Sequence, residues 1–288
     1  MSAVAFAEHV GAHVHGERGD IYSLLLHVHP SVVVGVVALG LLYGLATVAL
    51  RRRPTRRAVA AFGGALAVLL LALGPVDGLA DHRLFTAHMG QHMLLSLVVP
   101  PLFLLGVPDW MVRSLLRWGP VARLARLLVH PIVAFVLYNG YVAVLHTPPA
   151  YELMVRDEVI HITLHLCLMV TGTIMWWPLL SPLPELPRLP YAAQVLYLFL
   201  MLVPMAAVSA PITLASTVIY PWYLEGPHPW GIAPLTDQVW GGLLMWVGGG
   251  IYFMGVFSTI FFRWAQREAH DALPTGSIAW MAETPPLP

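Results

Sequence analysis

Seven apolar stretches of this chain are suited to crossing a lipid bilayer, and they restrict its fold more than any other feature. A spanning helix needs roughly 20 predominantly apolar residues, with a tolerance of a few. With 58% hydrophobic and only 10% charged residues, the chain also differs strongly in composition from soluble domains. We therefore predict an all-α, polytopic membrane helix bundle whose seven spans cover residues 31–50, 58–74, 85–106, 132–145, 159–180, 191–218 and 239–262.

The arginines predict how this bundle is oriented. Apart from Arg18, Arg83 and Arg156, they fall in the connections after the first, third and fifth spans and beyond the seventh. Because positively charged loops stay in the cytoplasm, we predict an outer N-terminus and an inner C-terminus in a bacterial plasma (inner) membrane. A helix on the inner surface is expected over residues 109–128.

This arrangement divides the chain into three predicted parts. We predict a histidine-rich external tail over residues 1–30, a seven-helix transmembrane domain over 31–264 and a cytoplasmic tail over 265–288. No cleavable signal is expected, because the first residues carry several histidines and no basic segment.

Histidines are gathered on the predicted outer side, which holds all but two of the fourteen. Two pairs, His88/His92 and His161/His165, lie inside apolar spans, and a spacing of four places each pair on one helix face. Ionisable groups at membrane depth are costly and usually mark a functional site. At about 1.5 Å per residue, both pairs lie about 5 to 10 Å below the outer surface. The two pairs are therefore expected to share one site.

Methionines accompany these histidines and favour copper as the ion. Met89 and Met93 repeat the spacing of the first pair one residue on, and Met245 lies in the outer half of the last span. Imidazole binds many transition metals, whereas soft thioether sulfur favours Cu(I). Asp237, at the start of the last span, adds a carboxylate. The predicted metal ligands are His88, His92, His161, His165, Met89, Met93, Asp237 and Met245.

Other interpretations of the same residues remain open. Two histidines on different helices are able to ligate a haem axially, which makes a membrane haem oxidoreductase the main alternative. A transporter with a histidine proton relay is a third reading. The histidines are otherwise structural hydrogen-bonding groups, the methionines packing residues and Asp237 a helix N-cap.

Two further segments are expected to have structural roles only. We predict that the sequence Trp176-Trp177-Pro178 is an interfacial anchor at which the fifth span stops. Cys167 is expected in the core, turned away from the face that carries His165.

Three strings together resemble a known family. They are His88-Met89-Gly90-Gln91-His92-Met93-Leu94-Leu95 followed by Pro100-Pro101, the span of His161 and His165 closing with Trp176-Trp177-Pro178, and Asp237-Gln238-x-x-Gly241-Gly242-x-x-Met245-Trp246. From about Tyr22 to Phe262, the chain resembles the seven-span bacterial cytochrome c oxidase assembly factors associated with caa-type oxidases. The resemblance implies a factor that handles copper for the oxidase catalytic subunit, with His88, His92, His161, His165 and Asp237 as functional positions.

We therefore expect a membrane assembly factor without catalytic activity of its own. It is expected to bind Cu(I) near the outer face and to assist maturation of the copper centre of a haem-copper oxidase by ligand exchange. The expected partners are the oxidase catalytic subunit, the lipid bilayer and a periplasmic copper donor, and no nucleic acid.

Overall fold

The computed structural model describes residues 30–81, 84–225 and 228–271. Helices account for 84% of the structure, and these three ranges contain no strand. The prediction of an all-α fold is therefore confirmed. Nearly all of the predicted N-terminal tail, with its histidines, lies outside the described residues, as do His82 and residues 272–288.

The helices are numbered here in chain order. They are α1 (Pro30–Ala49), α2 (Arg56–Ala72), α3 (Pro75–Asp81), α4 (Phe85–Gly106), α5 (Asp109–Leu116), α6 (Gly119–Leu128), α7 (Pro131–Leu145), α8 (Pro148–Arg156), α9 (Glu158–Leu180), α10 (Tyr191–Leu214) and α11 (Pro234–His270). Each of α4 and α11 continues through one π-helical turn, at Leu94–Val98 and Leu244–Gly248. Turns of this kind occur frequently at functional sites.

The membrane spans agree with the prediction except in one place. Among the described residues, α1, α2 continued by α3, α4, α9, α10 and α11 are long and apolar enough to cross a membrane. Helix α7 has only 15 residues and meets this criterion only together with α6, from which it is bent by 73°. The chain is therefore a multi-pass membrane protein, and its described residues contain six candidate spans, or seven when the bent pair is one span. The orientation of the termini stays a prediction.

Helix α4 lies at the centre of the bundle and is distorted by Pro100 and Pro101. Neither proline has an N–H group, so the carbonyls of Ser96 and Leu97 lose their usual α-helical donors. Immediately before the prolines, the helix widens into the π turn Leu94–Val98. In a bilayer, freed carbonyls of this kind need donors from neighbouring helices.

Those donors come from α9 and α11. The indole N–H of Trp176 donates to the Ser96 carbonyl at 3.1 Å, and the Tyr252 hydroxyl donates to the Leu97 carbonyl at 2.5 Å. The expectation that Trp176 anchors the helix at the interface is therefore wrong, because its ring is buried with 1% exposed. Helix α9 continues through Pro178 and ends at Leu180, where the fifth span was predicted to end.

A glycine allows α9 to approach α4 at the same level. A Cβ atom added to Gly172 would lie 3.1 Å from the carbonyl oxygen and 3.2 Å from the Cα of Ser96. Small residues at such crossings let membrane helices pack backbone to backbone. This contact fixes the separation of the two helices that carry the paired histidines.

Two other expectations are corrected by the structure. Cys167 is exposed on the outside of the bundle, because its neighbour His165 faces inward and a residue two positions further along a helix points away. The helix expected over residues 109–128 is divided into α5 and α6. The division lies at Trp118, which has an extended backbone, and α6 begins at Gly119 with Pro120 in its first turn.

Candidate metal centre

The packing of α4 on α9 brings the two histidine pairs together. The Nε2 atom of His92 lies 2.9 Å from Nε2 of His88 and 2.9 Å from Nε2 of His165. His88, His161 and His165 each offer a ring nitrogen, and these three atoms lie within 4.8 Å of one another. The predicted convergence of the two pairs is observed, and we call these four residues the histidine cluster.

Burial and ring contacts hold the cluster in place. His88, His92 and His165 are buried, with 2 to 5% of each residue exposed, and His161 is partly buried. The rings of His88 and His161 stack, with centroids 5.2 Å apart and planes inclined by 17°. The four rings come from two rigid helices, so their nitrogens are confined to a small volume.

The contacts at His92 are hydrogen-bond contacts between ring nitrogens. A ring nitrogen of a neutral imidazole either carries a hydrogen or has a lone pair, so the close Nε2 atoms of His88, His92 and His165 cannot all be donors. A tetrahedral ion with metal–nitrogen distances of about 2.0–2.1 Å holds its ligand nitrogens about 3.3 Å apart. The separations of 2.9 Å at His92 are shorter than this, whereas the ring nitrogens of His88, His161 and His165 lie within 4.8 Å of one another and fit a metal ion.

Aromatic residues close the cluster on the side of the connecting segments. The ring of Tyr151 on α8 lies 5.5 Å from that of His88, and its hydroxyl is hydrogen-bonded to the Tyr223 hydroxyl at 2.7 Å. The hydroxyl of Tyr220 donates to the carbonyl of His146 at 2.9 Å. All three tyrosines are almost fully buried, so they separate the cluster from solvent.

Asp237 has a structural role at the start of α4. Its carboxylate accepts hydrogen bonds from the backbone N–H groups of Phe85 at 2.5 Å and Thr86 at 3.1 Å, and the Thr86 hydroxyl donates to its backbone carbonyl. Asp237 was predicted as a metal ligand, with the cap of its own helix as the alternative, and the cap position of α11 is Ala233. The carboxylate instead satisfies free N–H groups of α4, and it is not part of the histidine cluster.

The glutamine of the His88-to-Met93 string also has a structural role. The side-chain amide of Gln91 donates to the Ala72 carbonyl at 3.2 Å and to the Asp77 carboxylate at 2.5 Å. These bonds attach α4 to the end of α2 and to α3, on a face beside the one that carries the histidines. Gln91 stands beside the candidate ligands in the sequence, but no sequence pattern indicated its bonds to Ala72 and Asp77.

The predicted methionines line a cavity beside the cluster. This cavity, of about 60 Å³, has His92 in its wall together with Met89 and Met93 of α4 and Met245 of α11. Two methionines of α10, Met201 and Met205, complete the sulfur-containing part of the wall. The methionines therefore surround a separate space that touches the histidine cluster at His92.

His146, at the end of α7, is a wall residue that the spacing argument missed. Its Nδ1–H donates to the Val142 carbonyl at 2.7 Å, so in the neutral ring Nε2 carries the lone pair. The Nε2 atom is buried without a hydrogen-bond partner among the described residues. No second histidine stands four positions away, so the only signal in the sequence was its predicted depth.

Comparisons with known proteins give the following similarities. Residues 41–267 match the model of a family described as cytochrome c oxidase caa3 assembly factor. Uncharacterized proteins of Mycobacterium bovis and Mycobacterium tuberculosis are each 28% identical over 258 residues, which cover 82% of this chain and 38% of theirs. A third, from Mycobacterium leprae, is 25% identical. The chain thus spans about two fifths of the length of these relatives, and no solved structure matches it.

Proposed function

The chain belongs to the family of cytochrome c oxidase caa3 assembly factors, and we propose that it serves this assembly by holding Cu(I) at the histidine cluster. In this proposal the ion is cargo for the copper centre of a haem-copper oxidase. The protein lies in the bacterial plasma membrane, takes copper from a periplasmic donor and passes it to the oxidase catalytic subunit. Ligand exchange is sufficient, and no catalytic group is required.

The observation that carries the proposal is the convergence of ring nitrogens at His92. Nε2 atoms from α4 and α9 meet at 2.9 Å in a buried site. Nε2 of His92 has either one hydrogen or one lone pair, so it cannot form a full hydrogen bond with both neighbours, and an ion bound by the cluster gives the converging nitrogens a common partner. The soft sulfur atoms beside the cluster favour Cu(I) over harder divalent ions.

The outer location rests on where charge and histidine lie along the helices. His88 and His161 fall in the first turn of α4 and α9, whereas most arginines lie near the opposite ends of the spans. By the positive-inside rule, the arginine-rich end is cytoplasmic. The cluster then lies about 5 to 10 Å below the outer ends of these helices.

The geometry favours an ion over haem. Axial ligands of one haem iron approach from opposite faces of the porphyrin. Nitrogens separated by 2.9 Å leave no room for a macrocycle between them, and the adjoining cavity has space for only a few water molecules. The oxidoreductase alternative is therefore the weaker one.

Metal content and the visible spectrum of the purified protein test the proposal directly. We expect Cu(I) to bind under anaerobic conditions and no Soret band to appear. Deleting the protein from its host should leave the oxidase polypeptides and haems present while lowering oxidase activity and copper content, with partial rescue by added copper. A haem spectrum without copper, or fully active oxidase after deletion, would overturn the proposal.

A further inference from the structure

The cavity beside the histidine cluster has the composition of a second binding site. Three spanning helices contribute methionines to its wall, two from α4, two from α10 and one from α11. The π turns of α4 and α11 lie next to these residues, and both Met245 and the cavity residues Ser96 and Leu97 fall within them. Regular helices would direct these side chains differently.

The methionine side chains of α10 meet the neighbouring helices at two points. Met201 and Met205 stand four positions apart, so they share one helix face. The sulfur of Met201 lies 3.4 Å from the amide nitrogen of Asn139, which donates to it. A Cβ atom on Gly249 of α11 would lie 2.7 Å from the sulfur of Met205 and 3.8 Å from the terminal methyl of Met93. The absence of a side chain at Gly249 therefore makes space for a thioether.

Two ring nitrogens at the same cavity have no protein partner in the described part of the chain. One is Nε2 of His146, whose lone pair is fixed by the bond from Nδ1 to the backbone. The other is Nδ1 of His92, a buried residue with 5% of its surface exposed. The centroids of these two rings lie 5.8 Å apart. His92 contacts the histidine cluster through Nε2, and a neutral imidazole has one lone-pair nitrogen, so Nδ1 is a ligand for the cavity when the proton of the ring is on Nε2.

Packing alone does not explain this combination. Methionine is a common filler of irregular cores, and it needs no polar neighbours for that role. Buried nitrogens without partners cost free energy, and apolar filler does not offset that cost. A soft cation satisfies the nitrogens and the sulfurs at once.

We propose that this cavity is a second Cu(I) site, formed by His146, Nδ1 of His92 and thioether sulfurs that include those of Met201 and Met205. This inference rests on the proposed function and extends it, because His92 lies between the two sites. A neutral imidazole has one lone-pair nitrogen, so when Nδ1 of His92 binds the second ion its proton is on Nε2, and the first ion is held by His88, His161 and His165. An ion leaving the histidine cluster exchanges nitrogen ligands for sulfur ligands without a change of oxidation state.

Copper stoichiometry and X-ray absorption of the detergent-purified full chain test the inference. We expect the wild type to bind two Cu(I) ions with both nitrogen and sulfur ligands. The Met201→Leu/Met205→Leu variant, which nearly conserves volume, should bind one ion and lose most of the sulfur signal. Met254→Leu is the matched control, because Met254 lies exposed on the outside of α11.

A pair of neighbouring glycines supplies a second test that leaves every proposed ligand in place. Gly249→Ala inserts a methyl group against the Met205 sulfur, whereas a Cβ on Gly250 meets nothing within 4 Å. Gly249→Ala should therefore lower the sulfur signal and the second equivalent of copper, and Gly250→Ala should change neither.

The outcomes separate the two proposals. One bound ion with nitrogen ligands only, unchanged by the methionine variants, would overturn the second site and leave the histidine cluster intact. One ion with sulfur ligands that survives His165→Ala would support the second site and reject the first. Absence of bound copper in the folded wild type would reject both sites. If the cavity holds only water, the single bound ion has nitrogen ligands only, which is the first of these outcomes.

Discussion

Nε2 of His165 lies 2.9 Å from Nε2 of His92, although 73 positions separate the two residues in the chain. Their distance depends on how closely α9 approaches α4, and Gly172 sets that approach two turns below His165. The ligand geometry of the cluster is therefore controlled by a backbone contact that contains no ligand.

Replacing Gly172 tests this control. In Gly172→Ala the new Cβ would press on the Ser96 backbone at 3.1–3.2 Å, so the helices must separate by a few tenths of an ångström. We expect a loss of stability of about 1–3 kcal/mol and weaker Cu(I) binding. Thermal unfolding in detergent and copper titration measure the two effects. Gly140→Ala on α7, where a Cβ meets nothing within 4 Å, is the control.

Single histidine replacements test whether the cluster holds one shared ion. Alanine at His88, His92, His161 or His165 should lower Cu(I) occupancy markedly while the protein still inserts and accumulates, because each removes one ring of the same site. Alanine at His130, which is exposed and far along the chain from the cluster, should leave occupancy unchanged. If the His88→Ala/His161→Ala double variant retained as much copper as the wild type, the prediction of a shared site would be wrong.

Asp237 is expected to act on stability more than on metal binding. Asp237→Ala leaves the N–H groups of Phe85 and Thr86 without their acceptor and should cost about 1–3 kcal/mol. Asp237→Asn keeps one acceptor oxygen and should lose less. For comparison, Asp157→Ala removes an exposed cap from α9 and should have the smallest effect. Unfolding curves of the three variants decide the order, and an unchanged midpoint for Asp237→Ala would contradict this role.

The orientation of the bundle is open to a direct test. Alkaline phosphatase fused after residue 230 should be active, because the arginine distribution places this connection outside. The same enzyme fused after residue 268 should be inactive. Activity at the second position would reverse the map and place the histidine cluster near the cytoplasmic face.

The sequence was sufficient to predict the helical class and the pairing of the histidines. Both depend on local rules, namely apolar length and a spacing of four residues. It failed where the decisive partner is distant in the chain. Trp176 became a core residue because Pro100 freed the Ser96 carbonyl, and Asp237 became the cap of a helix 152 positions away.

His146 shows the same limit at the site itself. It has no neighbour at helical spacing, and its value as a ligand depends on the bond that Nδ1 makes with the Val142 carbonyl and on the cavity formed with four other helices. Met201 and Met205 of α10 fall within the sixth predicted span, residues 191–218. Their place beside His92 required the packing of the whole bundle.

The bond between Asp237 and the start of α4 joins a late part of the chain to an early one, so it forms late during synthesis. Chains emerge from the ribosome with the N-terminal part first, so α4 is made long before α11. Until Asp237 arrives, the leading N–H groups of α4 lack the acceptor that holds the turn bearing His88. A nascent chain without α11 therefore contains both histidine pairs, while the N–H groups of Phe85 and Thr86, one turn before His88, still lack their acceptor.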